Sequence, residues 1–339
     1  MDFQQFLTKF QKVEVEEYQN DVPNDVLVSV CVQTFRHARY IRECLDGILM
    51  QKADFNFELL LGEDESDDGT REICLEYAEK YPERIRLFLH SRKNNIFKHG
   101  APSSTFNLLY NLFSSRGKYL AFCEGDDYWV DAAKLDKQIT ILEADVDVGL
   151  SFHRIQIERN GLRKLGSLHP HEIPFENLVK QRLAYTPSMV LRNDRFSVLP
   201  SWMTDIPYLD YSFSLLATVG RKAAFLPDPM AVYRVHSRGM SSGADPIKAN
   251  SLSILALDTC REHFQPEARK EFRFRRAYLL ADLCFKHFDL GNIREFKDCY
   301  RENSSEIQIL PIRTRLALLL RKMVSSSDLL FRLYRTVRT

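Results

Sequence analysis

Three carboxylates surround a single glycine at residues 124–127, which read Glu-Gly-Asp-Asp. They directly follow residues 119–123, a short apolar segment that predicts a buried strand. In open α/β sheets, ligands bind at the carboxyl ends of such strands. Carboxylates this close together repel one another unless a cation lies among them, and a hard divalent ion that bridges to phosphate oxygens is the natural candidate. The alternative is a solvated turn that leads into a helix capped by Asp131.

A second acidic turn, at residues 62–70, carries five carboxylates between a predicted strand and a predicted helix. One N-cap side chain satisfies at most one or two backbone N–H donors, so five carboxylates are too many for helix capping alone. Some of these carboxylates should have another partner. A carboxylate at a strand end suits recognition of ribose hydroxyls or of a base N–H. No Gly-x-Gly-x-x-Gly and no Gly-x-x-x-x-Gly-Lys follows a predicted strand, which disfavours hydride transfer and P-loop chemistry. The pattern therefore indicates a nucleotide held by acids and a metal ion.

Alternating strands and helices must position these two turns. The predicted strands are residues 27–33, 57–61, 85–89, 119–123 and 149–153, and the predicted helices between them are residues 40–49, 73–81, 105–115 and 131–143. This alternation predicts an α/β fold with a parallel sheet covered on both faces. An Asn-Gly pair at residues 160–161 predicts a hairpin, so the second half should add antiparallel strands. From about residue 246 glycine becomes rare and helical periodicity dominates.

Three ordered motifs resemble those of glycosyltransferase family 2, whose members have the GT-A fold. The motifs are Val-Ser-Val-Cys-Val-Gln-Thr-Phe at residues 28–35, the acidic turn at residues 62–70, and Glu-Gly-Asp-Asp-Tyr-Trp at residues 124–129. The resemblance covers residues 26–242 and implies a GT-A type, Rossmann-like mixed sheet flanked by helices. We accordingly expect an N-terminal helical lead at residues 1–25, a GT-A domain at 26–245, and a C-terminal helical region at 246–339 that ends in a basic amphipathic tail.

The same resemblance implies an activity. It implies an inverting glycosyltransferase that uses a nucleotide-diphospho-sugar, expected to be UDP-linked, together with Mn²⁺ or Mg²⁺. The expected acceptor is a hydroxyl of a glycan or a lipid-linked saccharide in polysaccharide biosynthesis. In such enzymes the end of the first strand and the first acidic turn hold the nucleoside, which implicates Thr34, Phe35 and Asp64. A catalytically silent GT-A domain that binds a sugar nucleotide or a partner is the alternative.

The resemblance also assigns the metal site. The family's Asp-x-Asp signature maps onto Glu124 and Asp126, with Asp126 as the expected metal ligand and Asp127 beside it. Glu124 departs from the family pattern at a position that usually contacts the ribose. Residues 233–236, Tyr-Arg-Val-His, resemble the family's C-terminal histidine motif, and His236 is therefore a candidate ligand of the metal or the diphosphate.

The catalytic base is expected, from the resemblance, at the start of a helix that precedes the histidine motif. Asp210 fits that position best, and Asp205 is the competing candidate. The chemistry requires such a carboxylate, because the acceptor hydroxyl must lose its proton as it attacks the anomeric carbon. The alternative role for Asp210 is to cap the helix predicted at residues 211–219.

Composition restricts the class of protein and its compartment. A 339-residue chain with 45% hydrophobic residues and a formal net charge of +1 is typical of a globular protein and offers no electrostatic case for nucleic-acid binding. Its seven cysteines contain no Cys-x-x-Cys pair, which favours buried thiols in a reducing compartment. Residues 1–24 lack the apolar core of a signal peptide, and no segment resembles a membrane span. We therefore expect a cytoplasmic protein.

The basic tail extends this expectation to the membrane surface. Its apolar residues recur at helical spacing, at Leu316, Leu319, Leu320 and Met323 and again at Leu330, Leu333, Tyr334 and Val337. Seven cations accompany them against the single Asp328. A basic amphipathic stretch of this kind favours peripheral contact with the inner face of the cell membrane. The alternatives are a terminal helix pair packed on the domain and a dimer contact.

Overall fold

A computed structural model of the chain describes residues 1–98, 101–237, 239 and 245–325. The chain divides into two compact units. The first unit consists of Met1–Leu178 and Arg182–Gly239, and the second consists of Val179–Gln181 and Met240–Thr339.

The first unit combines strands with helices in alternation. Its described strands are β1 Glu16–Glu17, β2 Val28–Thr34, β3 Phe57–Glu63, β4 Ile85–Leu89, β5 Ile96–Lys98, β6 Ala101–Ser103, β7 Tyr119–Phe122, β8 Tyr128–Trp129, β9 Val148–Arg159, β10 Leu162–Leu165, β11 Glu172–Pro174, β12 Val190–Arg192 and β13 Lys222–Val235. Its helices are α1 Phe3–Phe10, α2 Ile41–Leu49, α3 Thr70–Lys80, α4 Thr105–Ser114, α5 Lys134–Ala144, α6 Phe175–Lys180, whose last residues belong to the second unit, and α7 Leu209–Thr218.

The main sheet is mixed. Its strand order is β1-β4-β3-β2-β7-β12-β9-β13-β11, with β10 paired to β9 and β8 paired to β13. Strands β4, β3, β2 and β7 are parallel, β12 is antiparallel to both of its neighbours, and β13 is parallel to β9. The α/β class and the mixed sheet flanked by helices are thereby confirmed.

Strand burial explains why the two acidic turns lie at one edge. All seven residues of β2 and of β3 are buried, as are the four of β7, which is expected of central strands covered on both faces. Val28 aligns with Phe57 on one side and with Tyr119 on the other. Because these strands are parallel, their carboxyl ends meet at the same edge. The chain therefore collects Thr34, the 64–68 turn and the 123–127 turn in one place.

The N-terminal segment adds a helix and an edge strand to this unit. Asp2 and Gln5 form a reciprocal capping box at the start of α1, and Phe6 packs fully buried against Phe106 of α4. The chain then continues as β1, which pairs antiparallel with β4.

Three segments test the turn predictions. The hairpin at Asn160-Gly161 is confirmed, since β9 and β10 pair antiparallel and the two turn residues have φ of 51° and 76°. The sequence predicts a polar loop at residues 91–104, but the described part of this segment contains a 3-10 helix at Arg92–Asn94 and the antiparallel pair of β5 and β6. The sequence predicts two separate extended pieces at residues 223–226 and 231–235, whereas the structure has one strand, β13, whose register against β9 shifts between Leu226 and Ala231.

The second unit is helical. It contains α8 Pro246–Asp289, α9 Ile293–Ile307 and α10 Ile312–Val324. The helical periodicity predicts separate helices at residues 254–264 and 268–288. In the structure both belong to α8, which is kinked where Pro266 lies inside it and Phe264 and Ala268 have non-helical φ and ψ. A buried cluster that includes Cys284, Phe288, Phe296 and Leu318 forms its core. No described helix is both long enough and apolar enough to cross a membrane. The tail positions Leu330, Leu333, Tyr334 and Val337 lie outside the described residues.

Candidate functional site

The acidic turn after β7 brings Glu124, Asp126 and Asp127 together. Each side chain offers one carboxylate oxygen, and these three oxygens lie within 4.8 Å of one another. Asp127 is 1% exposed, and its Oδ1 accepts a 2.8 Å hydrogen bond from the Arg234 backbone N–H. Its Oδ2 is buried without a hydrogen-bond partner among the described residues. A buried carboxylate oxygen that lacks a hydrogen-bond partner is well suited to bind a cation.

A close approach of backbone to side chains holds the turn against β2. The Gly125 N–H donates to the Gln33 carbonyl at 3.1 Å. A Cβ at position 125 would lie 2.6 Å from Thr34 Oγ1 and 2.8 Å from His37 Nδ1, so a side chain there would displace both groups. Gln33 Nε2 also donates to Glu124 Oε1 at 3.3 Å. The glycine between the acids therefore serves the packing of the turn.

Two histidines face Asp126. His236 follows β13 directly, and its Nε2 lies 2.9 Å from Asp126 Oδ2. His37 Nε2 lies 3.9 Å from the same oxygen, and the Tyr40 ring packs 5.1 Å from the His236 ring, between centroids. Burial acts to raise the pKa of Asp126, but the His236 hydrogen bond and the nearby His37 outweigh it and hold that pKa below its usual value.

The pKa values of the other two acids, Glu124 and Asp127, are shifted by burial and by neighbouring charges. Burial, with the charges of Asp126 and Asp210, raises the pKa of Glu124 to about 8. Burial, with the charges of Asp126 and Glu124, raises the pKa of Asp127 well above its usual value. The donor set consists of hard carboxylate oxygens with one imidazole beside them, and this set fits Mg²⁺ or Mn²⁺.

Arg234 fixes the position of the acidic turn. Its Nη1 donates to the Asp126 carbonyl at 2.8 Å, and its guanidinium stacks 4.1 Å from the centre of the Tyr128 ring. The same guanidinium is paired with Glu43 and lies 3.7 Å from Glu158. Because its charge is already neutralised and its side chain is 8% exposed, Arg234 acts as a positioning residue.

Asp64, in the second acidic turn, has one carboxylate oxygen without a hydrogen-bond partner among the described residues. It is 4% exposed, and its Oδ2 accepts from Asn95 Nδ2 at 2.9 Å and lies 3.5 Å from Arg92 Nη1. Its Oδ1 is buried without a partner in the described part of the chain, and burial raises the pKa of the carboxyl. An N–H of a bound base would satisfy this oxygen.

The remaining acids of that turn are paired within the chain. Arg71 Nε donates to Glu63 at 2.5 Å, the Arg92 N–H to Glu65 at 2.7 Å, Arg36 to both oxygens of Asp67, and the Thr70 hydroxyl to Asp68 at 2.5 Å. The five carboxylates thus divide into four that build the turn and one, Asp64, with capacity for a ligand.

Phe35 and Thr34 differ in what they offer to a nucleoside. The half-buried Phe35 ring faces the Arg92 guanidinium at 3.8 Å, which forms an aromatic and cationic surface next to Asp64. Thr34 is 2% exposed, and its hydroxyl lies 3.2 Å from His37 Nδ1. A ribose contact from Thr34 stays a prediction.

Asp210 lies in the first turn of α7, and Tyr208 occupies the N-cap position. Its Oδ2 accepts from Arg182 and lies 3.5 Å from Thr186 Oγ1. The charge of Asp210 raises the pKa of Glu124, and Arg182 acts electrostatically on both acids, which brings Asp210 into the range of the acidic turn. Asp210 is therefore not the N-cap residue of α7, although its Oδ1 accepts a 2.8 Å hydrogen bond from the Tyr211 N–H in that turn.

Asp205 has a different environment. It follows the 3-10 helix Ser201–Thr204 and is exposed. Its charge acts on Lys98, whose pKa burial lowers to about 8. The charge of Asp210 thus acts on the acidic turn, whereas the charge of Asp205 acts on Lys98.

Several contacts between site residues were missed from the sequence. Arg182 on Asp210, Arg92 on Phe35 and Gln33 on Glu124 are contacts between distant positions with no characteristic spacing. Arg234 had a signal, because it lies two residues before His236 and alternate residues of a strand share a face.

Comparisons with known proteins agree with the fold described above. The sequence profile described as Glycosyl transferase family 2 matches residues 29–235, more than half of the chain. An uncharacterized protein of Mycobacterium tuberculosis is 34% identical over 221 residues, covering 63% of this chain and 60% of that protein. The UDP-Glc:alpha-D-GlcNAc-diphosphoundecaprenol beta-1,3-glucosyltransferase WfgD of Escherichia coli is 27% identical over 157 residues, covering 46% of this chain and 56% of that protein. The match thus spans about 60% of the length of such relatives.

Solved structures share the fold at low identity. The mannosyltransferase PcManGT from Pyrobaculum calidifontis, in complex with GDP-Man and Mn²⁺, has a TM-score of 0.56 and 17% identity, covering 97% of this chain and 88% of that chain. S. aureus TarS 1–349 in complex with UDP-GlcNAc has a TM-score of 0.54 and 18% identity, covering 85% of this chain and 82% of that chain. The profile match, together with the ordered motifs and the mixed sheet, shows that the chain belongs to glycosyltransferase family 2.

Proposed function

We propose that this chain is a metal-dependent, inverting glycosyltransferase that moves a sugar from a nucleotide-diphospho-sugar to a hydroxyl of a glycan or lipid-linked saccharide. The observation that carries the proposal is the cluster of Glu124, Asp126 and Asp127 at the strand ends, with His236 on Asp126 and Asp210 electrostatically coupled to Glu124. Such a cluster provides oxygen ligands for a cation that would neutralise the leaving diphosphate. It also provides a carboxylate that would act as the catalytic base.

The diphosphate end of the donor is assigned to the acidic turn. Asp126 and Asp127 would hold the cation, with His236 as a further ligand of the cation or of the diphosphate. Asp127 supports this role through its buried, unpartnered Oδ2, and Gln33 and Arg234 keep the turn in place. When bound, the cation supplies charge neutralisation to the departing diphosphate.

The nucleoside end is assigned to the second acidic turn. Asp64 Oδ1 would accept an N–H of the base, and the Phe35 ring with Arg92 would cover the base or the ribose. We propose a UDP-linked donor, since the names of WfgD and of the TarS complex include UDP-Glc and UDP-GlcNAc. PcManGT was solved with GDP-Man, so a GDP-linked donor is the other outcome to test.

Asp210 is the proposed base. Its carboxylate would take the proton of the acceptor hydroxyl as that oxygen attacks the anomeric carbon on the face opposite the diphosphate, and this attack inverts the anomeric configuration. The electron pair of the broken glycosyl bond leaves with the nucleoside diphosphate. Arg182 and Thr186 orient the carboxylate.

The proposed setting is polysaccharide biosynthesis in the cytoplasm, at the inner face of the membrane. The names of two relatives support it: that of WfgD includes a diphosphoundecaprenol-linked sugar, and GgaB of Bacillus subtilis is a minor teichoic acid biosynthesis protein.

A donor-hydrolysis screen tests this proposal. The full chain is incubated with UDP-, GDP- and dTDP-sugars in Mn²⁺ or in EDTA, and released nucleoside diphosphate is measured. We expect slow Mn²⁺-dependent hydrolysis of one donor class, and no hydrolysis by the Asp126→Asn variant. If calorimetry detected donor binding and no donor were turned over, the catalytically silent GT-A alternative would replace the proposal. If no donor bound, the proposal would be wrong and only a partner-binding role would remain of that alternative.

A further inference from the structure

Helix α10 carries a row of apolar side chains that are exposed to solvent. Five of its residues are large, apolar and between 43% and 67% exposed: Ile312, Leu316, Leu319, Leu320 and Met323. At about 100° per residue they fall within an arc of about 100° around the helix axis. Isolated exposed apolar residues are ordinary, whereas a continuous row of them on one helix face indicates an interaction surface.

The opposite face of α10 is fixed within its own unit. Leu318 is fully buried in the core cluster of the second unit. Arg321 packs its guanidinium 4.5 Å from the centre of the Phe285 ring and lies 3.7 Å from Asp289. Turning the exposed row inward would therefore expose Leu318 and break these contacts. The row belongs to the folded unit and faces outward.

Cations flank this row on both sides. On the same angular scale Arg313 lies next to Leu320, and Arg315 and Lys322 lie on the other border of the row, next to Leu319. The helix sequence, Ile312–Val324, contains four cations and no acid. An apolar stripe with cations along both borders matches an anionic lipid interface, where apolar side chains enter the acyl boundary and cations meet headgroup phosphates.

We propose that α10 docks this protein on anionic lipid bilayers, with the row from Ile312 to Met323 inserted at the interface. A second copy of the chain is a poorer occupant of the row, because a symmetric helix pair would bring the cationic borders together with no acid in the helix to pair with them. The docking itself is independent of the catalytic assignment. It would keep the chain at the surface that presents a lipid-linked acceptor.

Vesicle flotation of the full chain tests the docking. The probes are vesicles of phosphatidylcholine alone and of phosphatidylcholine with 30% phosphatidylglycerol. We expect the chain to float with the anionic vesicles only, and the bound fraction to fall several-fold at 0.5 M salt because salt screens the headgroup contacts. The combined variant Leu316→Ser, Leu320→Ser, Met323→Ser should lose at least 10-fold in vesicle affinity. The variant Arg313→Gln, Lys322→Gln should lose the preference for anionic lipid.

A matched control uses exposed apolar residues elsewhere. Val146, Leu162 and Val198 are 68%, 74% and 61% exposed on separate segments of the first unit, and their combined replacement by Ser should leave flotation unchanged. Circular dichroism and the melting temperature of every variant are compared with those of the parent.

Three results would overturn the proposal. The first is absence of the parent chain from anionic vesicles. The second is a dimer that the α10 variant converts to a monomer without any change in flotation, which would make the row a self-interface. The third is a large fall in the melting temperature of the α10 variant, which would mean that the row is packed inside the folded chain.

Discussion

His236 Nε2 lies 2.9 Å from Asp126 Oδ2, although 110 positions of the sequence separate the two residues. The contact depends on β8 and β13, whose antiparallel pairing aligns Tyr128 with Val232. Continuing this pairing, the Arg234 N–H reaches Asp127 Oδ1 at 2.8 Å. Backbone pairing therefore sets the distance between the histidine and the acidic turn, and a cation bound by Asp126 would lie within reach of both.

Removing the Asp126 carboxylate should abolish metal dependence. We expect Asp126→Asn to reduce Mn²⁺-dependent turnover by at least 100-fold, because a neutral amide replaces a charged oxygen ligand. Titration of Mn²⁺ by electron paramagnetic resonance should show weaker binding. Glu143→Gln is the control, since Glu143 is a surface acid paired with Lys118 at 2.8 Å and should leave Mn²⁺ affinity unchanged. Unaltered Mn²⁺ binding by Asp126→Asn would refute the assignment.

Asp210 and Asp205 can be separated kinetically. Asp210→Asn should lower transfer by roughly 10²–10⁴-fold, the usual contribution of a positioned general base, while donor affinity changes less than about 3-fold. Asp205→Asn should retain nearly full transfer, since Asp205 is an exposed residue whose charge acts on Lys98. The measurement is kcat and donor Kd for both variants. The reverse pattern would make Asp205 the base.

Asp64 should affect the nucleotide and leave the metal unaffected. Asp64→Asn turns an acceptor-only group into one that also carries N–H donors, so the bond proposed for a base N–H is weakened. We expect the Kd of UDP to rise about 10-fold, which corresponds to about 1.4 kcal/mol. Calorimetry with UDP, and separately with Mn²⁺, measures the two effects. A raised Kd for Mn²⁺ with an unchanged Kd for UDP would exclude the proposed role.

Lys134 predicts a pH dependence of stability. It is fully buried, its Nζ lies 3.9 Å from the centre of the Trp129 ring, and it has no hydrogen-bond partner among the described residues. Burial lowers the pKa of this amine to about 7 from a usual value of 10.5. The unfolded chain therefore binds more protons between these pH values, so the cost of burial is complete below about pH 7 and fades as the pH rises.

Lys134→Met should remove that cost while it keeps most of the side-chain volume. We expect the variant to be more stable than the parent at pH 6.5, on the order of a few kcal/mol, since one pKa unit corresponds to about 1.4 kcal/mol. The gain should shrink by pH 9.5. Urea unfolding at both pH values measures it, and Lys134→Ala serves as the comparison that adds a cavity. A Met variant less stable than the parent at pH 6.5 would disprove this account.

The sequence predicted the local elements of the fold well. Buried strands such as β2 and β3 are mainly apolar, and Asn160-Gly161 adopts the positive φ values that its turn needs. It failed at β13, where residues 223–226 and 231–235 were predicted as two separate extended pieces. The strand instead runs through Pro227 and Pro229, and its register against β9 shifts between Leu226 and Ala231, where these residues lack an N–H group.

The candidate site was predictable only in part. Acids grouped within a few residues, such as Glu124 and Asp126, identified the turn. The partners that decide their roles come from distant segments, such as Arg182 on Asp210 and Asn95 on Asp64. Strand order and register create those contacts, and no spacing in the sequence encodes them directly.

The most direct test is the position of Mn²⁺ in crystals grown with UDP and Mn²⁺, measured by anomalous diffraction at the manganese edge. The account predicts one anomalous peak within about 2.0–2.4 Å of an Asp126 carboxylate oxygen, with Asp127 or His236 as a further ligand and a diphosphate oxygen on the other side. A bound UDP with no peak at Asp126, or a peak held by other residues, would contradict it.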